Sequence, residues 1–144
     1  MTLRLCVSLQ NAMADALDAI IDGGTGNAII RFFTGTQPAS AATAASGTLL
    51  ATLTLNDPAF ASAIIGSKAA NSITSDTSID ATGTVGWFRV YNAAAPTDPT
   101  DAVFDGEVTE TGGGGQITFG SVNWEAGETA SISSFNFVVP ASQA

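Results

Sequence analysis

The sequence predicts a mainly β protein: an antiparallel β-sandwich or jelly-roll-like barrel with one N-terminal α-helix. Three observations carry that expectation. Short runs of Val, Ile, Leu, Phe and Thr recur between residues 28 and 139, with Gly, Pro, Asn and Asp separating them. One run, GWFRVY at 86–91, is apolar on both faces, as a buried central strand is. Only residues 8–22 show the apolar period of a helix. At 144 residues the chain reads as one domain, 1–144, with the helix at 8–22, a flexible Ala/Thr-rich loop or arm at 36–47, and a β core over 48–139.

The helix is expected to start at Ser8 as N-cap and stop at Gly23-Gly24. Leu9, Met13, Leu17, Ile20 and Ile21 fall at helical spacing, with Ala12 and Ala16 beside them, so this stripe should dock. Gln10, Asn11, Asp15, Asp18 and Asp22 cover the other side, and Asp22 opposes the helix dipole. AIIRFFT at 28–34 is a strand. TQPASAATAASG at 36–47 has no bulky anchor and reads as an exposed arm. TLLATLTLN at 48–56 is a strand with Leu49, Ala51, Leu53 and Leu55 on one face, ended by Asp57-Pro58. Residues 59–65 are a short apolar segment whose pattern does not separate strand from buried turn.

A strand over 85–92 should point Val85, Trp87, Arg89 and Tyr91 one way and Phe88 and Val90 the other. Residues 93–101 form a loop with two prolines. Ala102–Thr109 is a strand in which Gly106 marks a bulge or a close approach. The GGGG at 112–115 reads as a flexible hairpin tip, since no Lys-Ser/Thr and helix follow as in a phosphate loop. Strands at 116–124 and 129–139 each change apolar parity, which predicts bulges at Gly120–Ser121 and Ser133–Ser134.

The chain is poor in reactive groups. It has no His, one Cys and four Lys or Arg against thirteen Asp or Glu, for a net charge of −9. Charged residues make up 12%, about half the ~25% usual in soluble domains. Thirty-one Ser and Thr replace them. A surface of that kind is buried against neighbours with little desolvation cost. The scattered Arg4, Arg31, Lys68 and Arg89 argue against nucleic acid, and no run is long enough for a membrane span.

Without His, Ser-His and Cys-His catalysis is excluded. Cys6 precedes a helix, but nothing supplies a base, and a small buried residue is the expected role. Asp76, Ser78 and Asp80 alternate like the first ligands of a calcium loop. Ala81 stands where that loop needs Gly and no bidentate Glu follows, so turn capping is the simpler reading. Asp98, Asp101, Asp105, Glu107 and Glu110 offer paired carboxylates of the kind glycoside hydrolysis uses, against a default of a solvated edge. Trp87, Tyr91 and Trp124 offer a sugar-stacking platform, although aromatics at strand parity are usually core. No catalytic residue, cofactor or metal is assigned.

In their order, five pieces resemble a group of small virion proteins of tailed double-stranded DNA bacteriophages. They are LCVSLQNAMADALDAIIDGG at 5–24, FFTGTQPA at 32–39, LLATLTLNDPAFA at 49–61, NSITSDTSIDATGTVGWFRVYN at 71–92 and FNFVVP at 135–140. The resemblance implies a structural role in the virion, a capsid decoration (cement) subunit, after synthesis in a bacterial cytoplasm. The implied partners are further copies of the chain, as a trimer, and the major capsid protein or other virion subunits. Alternatives are a receptor- or glycan-binding accessory domain and a neck or tail subunit. The interface candidates are Thr36, Gln37 and Pro38 on the arm and Leu9 and Met13 on the helix.

Overall fold

The computed structural model describes residues 2–143. In chain order the elements are β1 (Leu3–Arg4), α1 (Val7–Asp22), β2 (Ile29–Thr34), β3 (Leu49–Leu55), β4 (Ser67–Ala69), β5 (Ile73–Thr74), β6 (Gly83–Tyr91), β7 (Ala102–Glu110), β8 (Ile117–Phe119), β9 (Asn123–Trp124), β10 (Asn136–Val138) and β11 (Ser142–Gln143). The mainly β character and the single N-terminal helix agree with the sequence reading.

Six strands run in the order β5-β3-β2-β6-β7-β8, and β9 joins the start of β6. This sheet is mixed and curls into a half-barrel. Two small ribbons complete the fold, β1 with β11 and β4 with β10. β6 is the centre, bonded to β2 on one side and β7 on the other. Its apolar character on both faces follows from that place.

One face of the sheet carries the main core. Ile30, Phe32, Leu53, Phe88, Val90 and Val108 pack there with Ile21 of α1, Phe60, Trp124 and Phe135. Edge-to-face rings knit it together, with centroids 5.4 Å apart for Phe32–Trp124 and 5.0 Å for Phe119–Trp124. The opposite face carries Trp87, Arg89 and Tyr91, all fully buried. Val85 departs from the expected alternation. A register shift pairs Phe33 with Trp87 but Thr34 with Val85, so Gly86 is an extra residue and Val85 turns into the main core.

The one parallel pair among the described residues, β7 with β8, is joined by only the short segment 111–116, whereas parallel strands ordinarily need a crossover of about a dozen residues or more. The GGGG run supplies the return. Gly112 and Gly114 have φ of 93° and 85°, a region that L side chains rarely adopt. Gly113 donates to the Glu110 carbonyl and Gly115 to the Thr109 hydroxyl, and Gln116 Oε1 accepts the Glu107 N–H. These glycines therefore form a folded-back loop rather than a hairpin tip. Gly106 is a close-approach site, with the Phe88 ring where its side chain would be.

The two parity changes appear as breaks in pairing. The segment expected at 116–124 divides into β8 and β9, and the one at 129–139 keeps a bridge at Ala130, bends at Ser133 and resumes as β10. Apolar residues on both sides of each break still reach the core: Ile117 and Trp124, Ala130 and Phe135.

Candidate interaction surface

Two groups of side chains stand out, a buried ionic centre and a set of exposed apolar side chains. The ionic centre is built on β6. Arg89 is 0% exposed. Its Nη2 lies 2.8 Å from Asp105 Oδ2 on β7, and its Nη1 lies 2.9 Å from Asp98 Oδ1 in the 93–101 loop. Nη1 also donates to the Thr43 carbonyl at 2.8 Å, and the guanidinium lies over the Trp87 ring at 5.1 Å. Tyr91 donates to Asp98 Oδ1, and Ala45 N–H to Asp98 Oδ2, both at 2.6 Å. Gln37 donates to Asp105 Oδ1 at 2.6 Å.

The electrostatics follow from those partners. Burial pushes the Asp98 carboxyl up, but the Tyr91 hydroxyl, the Ala45 N–H and the Arg89 guanidinium outweigh it and hold Asp98 below the usual carboxylate range. Burial, then Asp98, pushes the Tyr91 hydroxyl up to about 12. Two of the five clustered carboxylates thus converge on a single guanidinium, and their oxygens are already bonded. The 36–47 segment is tied to its own domain through Gln37, Thr43 and Ala45 rather than projecting as a free arm. Gln37, an expected interface residue, spends its amide internally. Pro38 is half-buried and Thr36 is exposed.

Lys68 repeats the arrangement at the helix. It is buried between Asp15 and Asp18, at 2.8 and 2.9 Å. Its own burial lowers its pKa, and the two carboxylates more than reverse that. Two of the four cations are therefore internal clamps, each shared by two acids. Asp22 also works inward, accepting the Ala59 N–H at 3.0 Å, which accounts for an acid at the helix C-terminus.

These polar bonds set which face of α1 docks. Gly66 N–H donates to Asn11 Oδ1 at 2.7 Å, and Gln10 Nε2 donates to the Val139 carbonyl at 3.3 Å. With Asn11, Asp15 and Asp18 held toward β4, the helix buries Gln10, Ala14 and Ile21, with Leu17 half-buried. Leu9, Met13 and Ile20 are left exposed. The expected docking stripe is thus rotated by about a quarter turn, at ~100° per residue. The start of the helix differs as well. Cys6 is the N-cap, with no side-chain cap, and it is exposed rather than buried. Ser8 lies inside the first turn and its Oγ is 3.2 Å from Cys6 Sγ.

Among the described residues, eight large apolar side chains are exposed: Leu3, Val7, Leu9, Met13, Ile20, Ile64, Ile65 and Val138. All eight lie on β1, α1, the 64–67 turn or β10. The 64–67 turn is bonded to α1 and to the β10 segment, through Gly66 to Asn11, Val139 N–H to the Gly66 carbonyl, and Val138 opposite Ser67, whereas β1 pairs with β11. Ile64 and Ile65, 72% and 66% exposed, form the tip of a tight hairpin closed by reciprocal Ile64–Ser67 backbone bonds. Ile65 holds φ at 50° beside Gly66 at 73°. A β-branched residue in that region is strained, and an exposed one gains no packing in return within its own chain.

The remaining candidates fall elsewhere. Asp76 uses both carboxylate oxygens on backbone N–H groups, Ser78 at 3.0 Å and Thr52 at 2.9 Å, while Asp80 donates its own N–H to Leu50. Among the described residues no three His, Cys, Asp or Glu gather as a metal-binding group. Trp87 and Tyr91 are fully buried and Trp124 nearly so, which removes the sugar-stacking platform. The signal for the Arg89 centre was present in the sequence: a charge inside a strand apolar on both faces requires buried partners. Asp98 and Asp105 supply them.

No known protein family, no characterised protein and no solved structure matches the chain.

Proposed function

We propose that the chain is a structural subunit that works by docking, and that its place is the virion of a tailed bacteriophage, as a capsid decoration (cement) subunit. Among the described residues, the eight exposed large apolar side chains all lie on β1, α1, the 64–67 turn and β10, and this supports the docking role. The ordered resemblance of the five sequence segments supports the virion. The partners are further copies of the chain, as a trimer, and the major capsid protein.

The size of the surface suits attachment in many copies. Eight half-exposed aliphatic side chains supply about 5–10 kcal/mol of gross burial. Association itself costs about 4–15 kcal/mol. A single copy would hold weakly, and symmetric multivalency makes the attachment firm. Eight of the thirteen acids are exposed while the cations Lys68 and Arg89 are spent internally, which suits a particle exterior rather than packaged DNA.

Cryo-electron microscopy of the particle tests the reading. The expected result is density for this fold at capsid symmetry positions, with α1 and the 64–67 turn against the shell. Density at the neck or tail would move the subunit, and a particle without it would end the virion assignment.

A further inference from the structure

β8 is an outer edge of the half-barrel, bonded to β7 on one side only. Its other side faces a cleft of about 520 Å³ lined by two continuous runs, 116–120 and 131–136. The second run is where pairing stops: among the described residues no backbone hydrogen bond involves 131–134. In a parallel pair half of a strand's N–H and C=O groups point away from the partner, so β8 also presents backbone groups to the cleft. Sheet edges are ordinarily blunted by Lys, Pro or an inward charge. β8 reads Ile-Thr-Phe, and none of the eleven lining residues is charged.

Side chains alternate along β8, and the bend at Ser133 lets both Ile132 and Phe135 turn inward on the other wall. Ile117 and Phe135 are buried and Ile132 is half-buried at the floor, while Thr118, Ser131 and Ser133 are exposed. We propose that this cleft binds an extended peptide segment of a partner protein, which adds as a strand between β8 and residues 131–134. Both walls offer backbone groups, so the occupant needs two bare edges. An isolated extended segment has them, whereas the sheet edge of a second copy has one. The uncharged lining suits an uncharged segment with small apolar residues directed at Ile117, Ile132 and Phe135. The inference goes beyond the virion reading and stands without it.

The test uses the full chain, labelled with ¹⁵N, and a capped heptapeptide that alternates Val and Thr between terminal lysines. Titration should shift amides at 117–119 and 131–134 and slow their exchange, leaving α1 amides unmoved. N-methylating alternate peptide amides along one edge should weaken binding about tenfold or more, since each buried backbone group left without a partner is costly. Ser133→Pro should weaken it similarly and leave the urea midpoint unchanged, because that N–H holds nothing in the free chain. Absence of shifts at millimolar peptide, or equal binding of the methylated peptide, overturns the proposal. A dimer of the protein alone that Ser133→Pro dissolves would assign the cleft to a second copy, and overturns it too.

Discussion

Replacing Arg89 by Met tests the internal architecture most sharply. The side chain is wholly buried, and the substitution keeps an unbranched apolar stem over Trp87 while removing every donor. Asp105, 7% exposed, then loses both its Nε and Nη2 partners, and Asp98, 23% exposed, loses Nη1. Removing one partner of a buried ion pair costs about 3–5 kcal/mol, because the other charge stays behind. Asp98 is the better solvated of the two acids and keeps Tyr91 and Ala45, so the lower half of that range is expected. At a urea slope of ~2 kcal/mol per molar this moves the midpoint by about 1.5–2 M. Amide exchange should also quicken at Thr43 and Ala45 as the 36–47 segment loses its tether. Adding Asp98→Asn and Asp105→Asn to Arg89→Met should recover at least half the loss, since the orphaned charges are gone. A cost under about 1 kcal/mol for the single change, or unaltered exchange at Ala45, would refute a clamp at Arg89.

Stability should hold between about pH 5 and 9 and fall at both ends. Tyr91 titrates at about 12 when folded and near 10 unfolded, so its contribution is whole below pH 10 and lost as pH rises toward 12. Asp98 is held below its unfolded value near 4, so its contribution is whole above that pH and lost as acid protonates it. Tyr91→Phe should flatten the loss of stability between pH 10 and 12 in urea melts, and an unchanged slope there would count against the Tyr91–Asp98 bond. Trp87→Ala should cost about 3–5 kcal/mol as a core truncation; a folded variant of normal stability would show the ring to be peripheral. Ile65→Asn should raise stability by about 1 kcal/mol, because Asn tolerates positive φ. The same change should weaken assembly, and a drop in melting temperature would mean that Ile65 packs inside its own chain.

Much of the fold was legible because it is local. The apolar run of β2, the alternation in β3, the both-faced run of β6 and the period of α1 are set by residues a few positions apart. What was hidden depends on partners far along the chain. The rotation of α1 is fixed by bonds from Asn11 to Gly66 and from Asp15 and Asp18 to Lys68, fifty or more residues away. Gly112–Gly115 gave a turn but not its sense, so a parallel pair was unforeseen. The 36–47 segment looked unanchored because, Gln37 apart, its anchors are the Thr43 carbonyl and the Ala45 N–H, which leave no mark in composition. The short ribbons β1–β11 and β4–β10 are too brief for any period to show.

The candidate surface was legible in part. Leu9 and Met13 were singled out among interface residues and both are exposed, while Ile64, Ile65 and Val138 join them only through the hairpin and β10. Thr36 and Pro38 lie apart from that group, on the segment tied to Arg89.

Oxidative footprinting of Met13 tests the docking claim most directly. Its thioether sits in the middle of the exposed stripe of α1, so it is open to oxidant in the isolated chain. The account predicts that Met13 oxidises at least about tenfold more slowly in particles that carry the chain than in the free protein. Equal rates in the two states would contradict it.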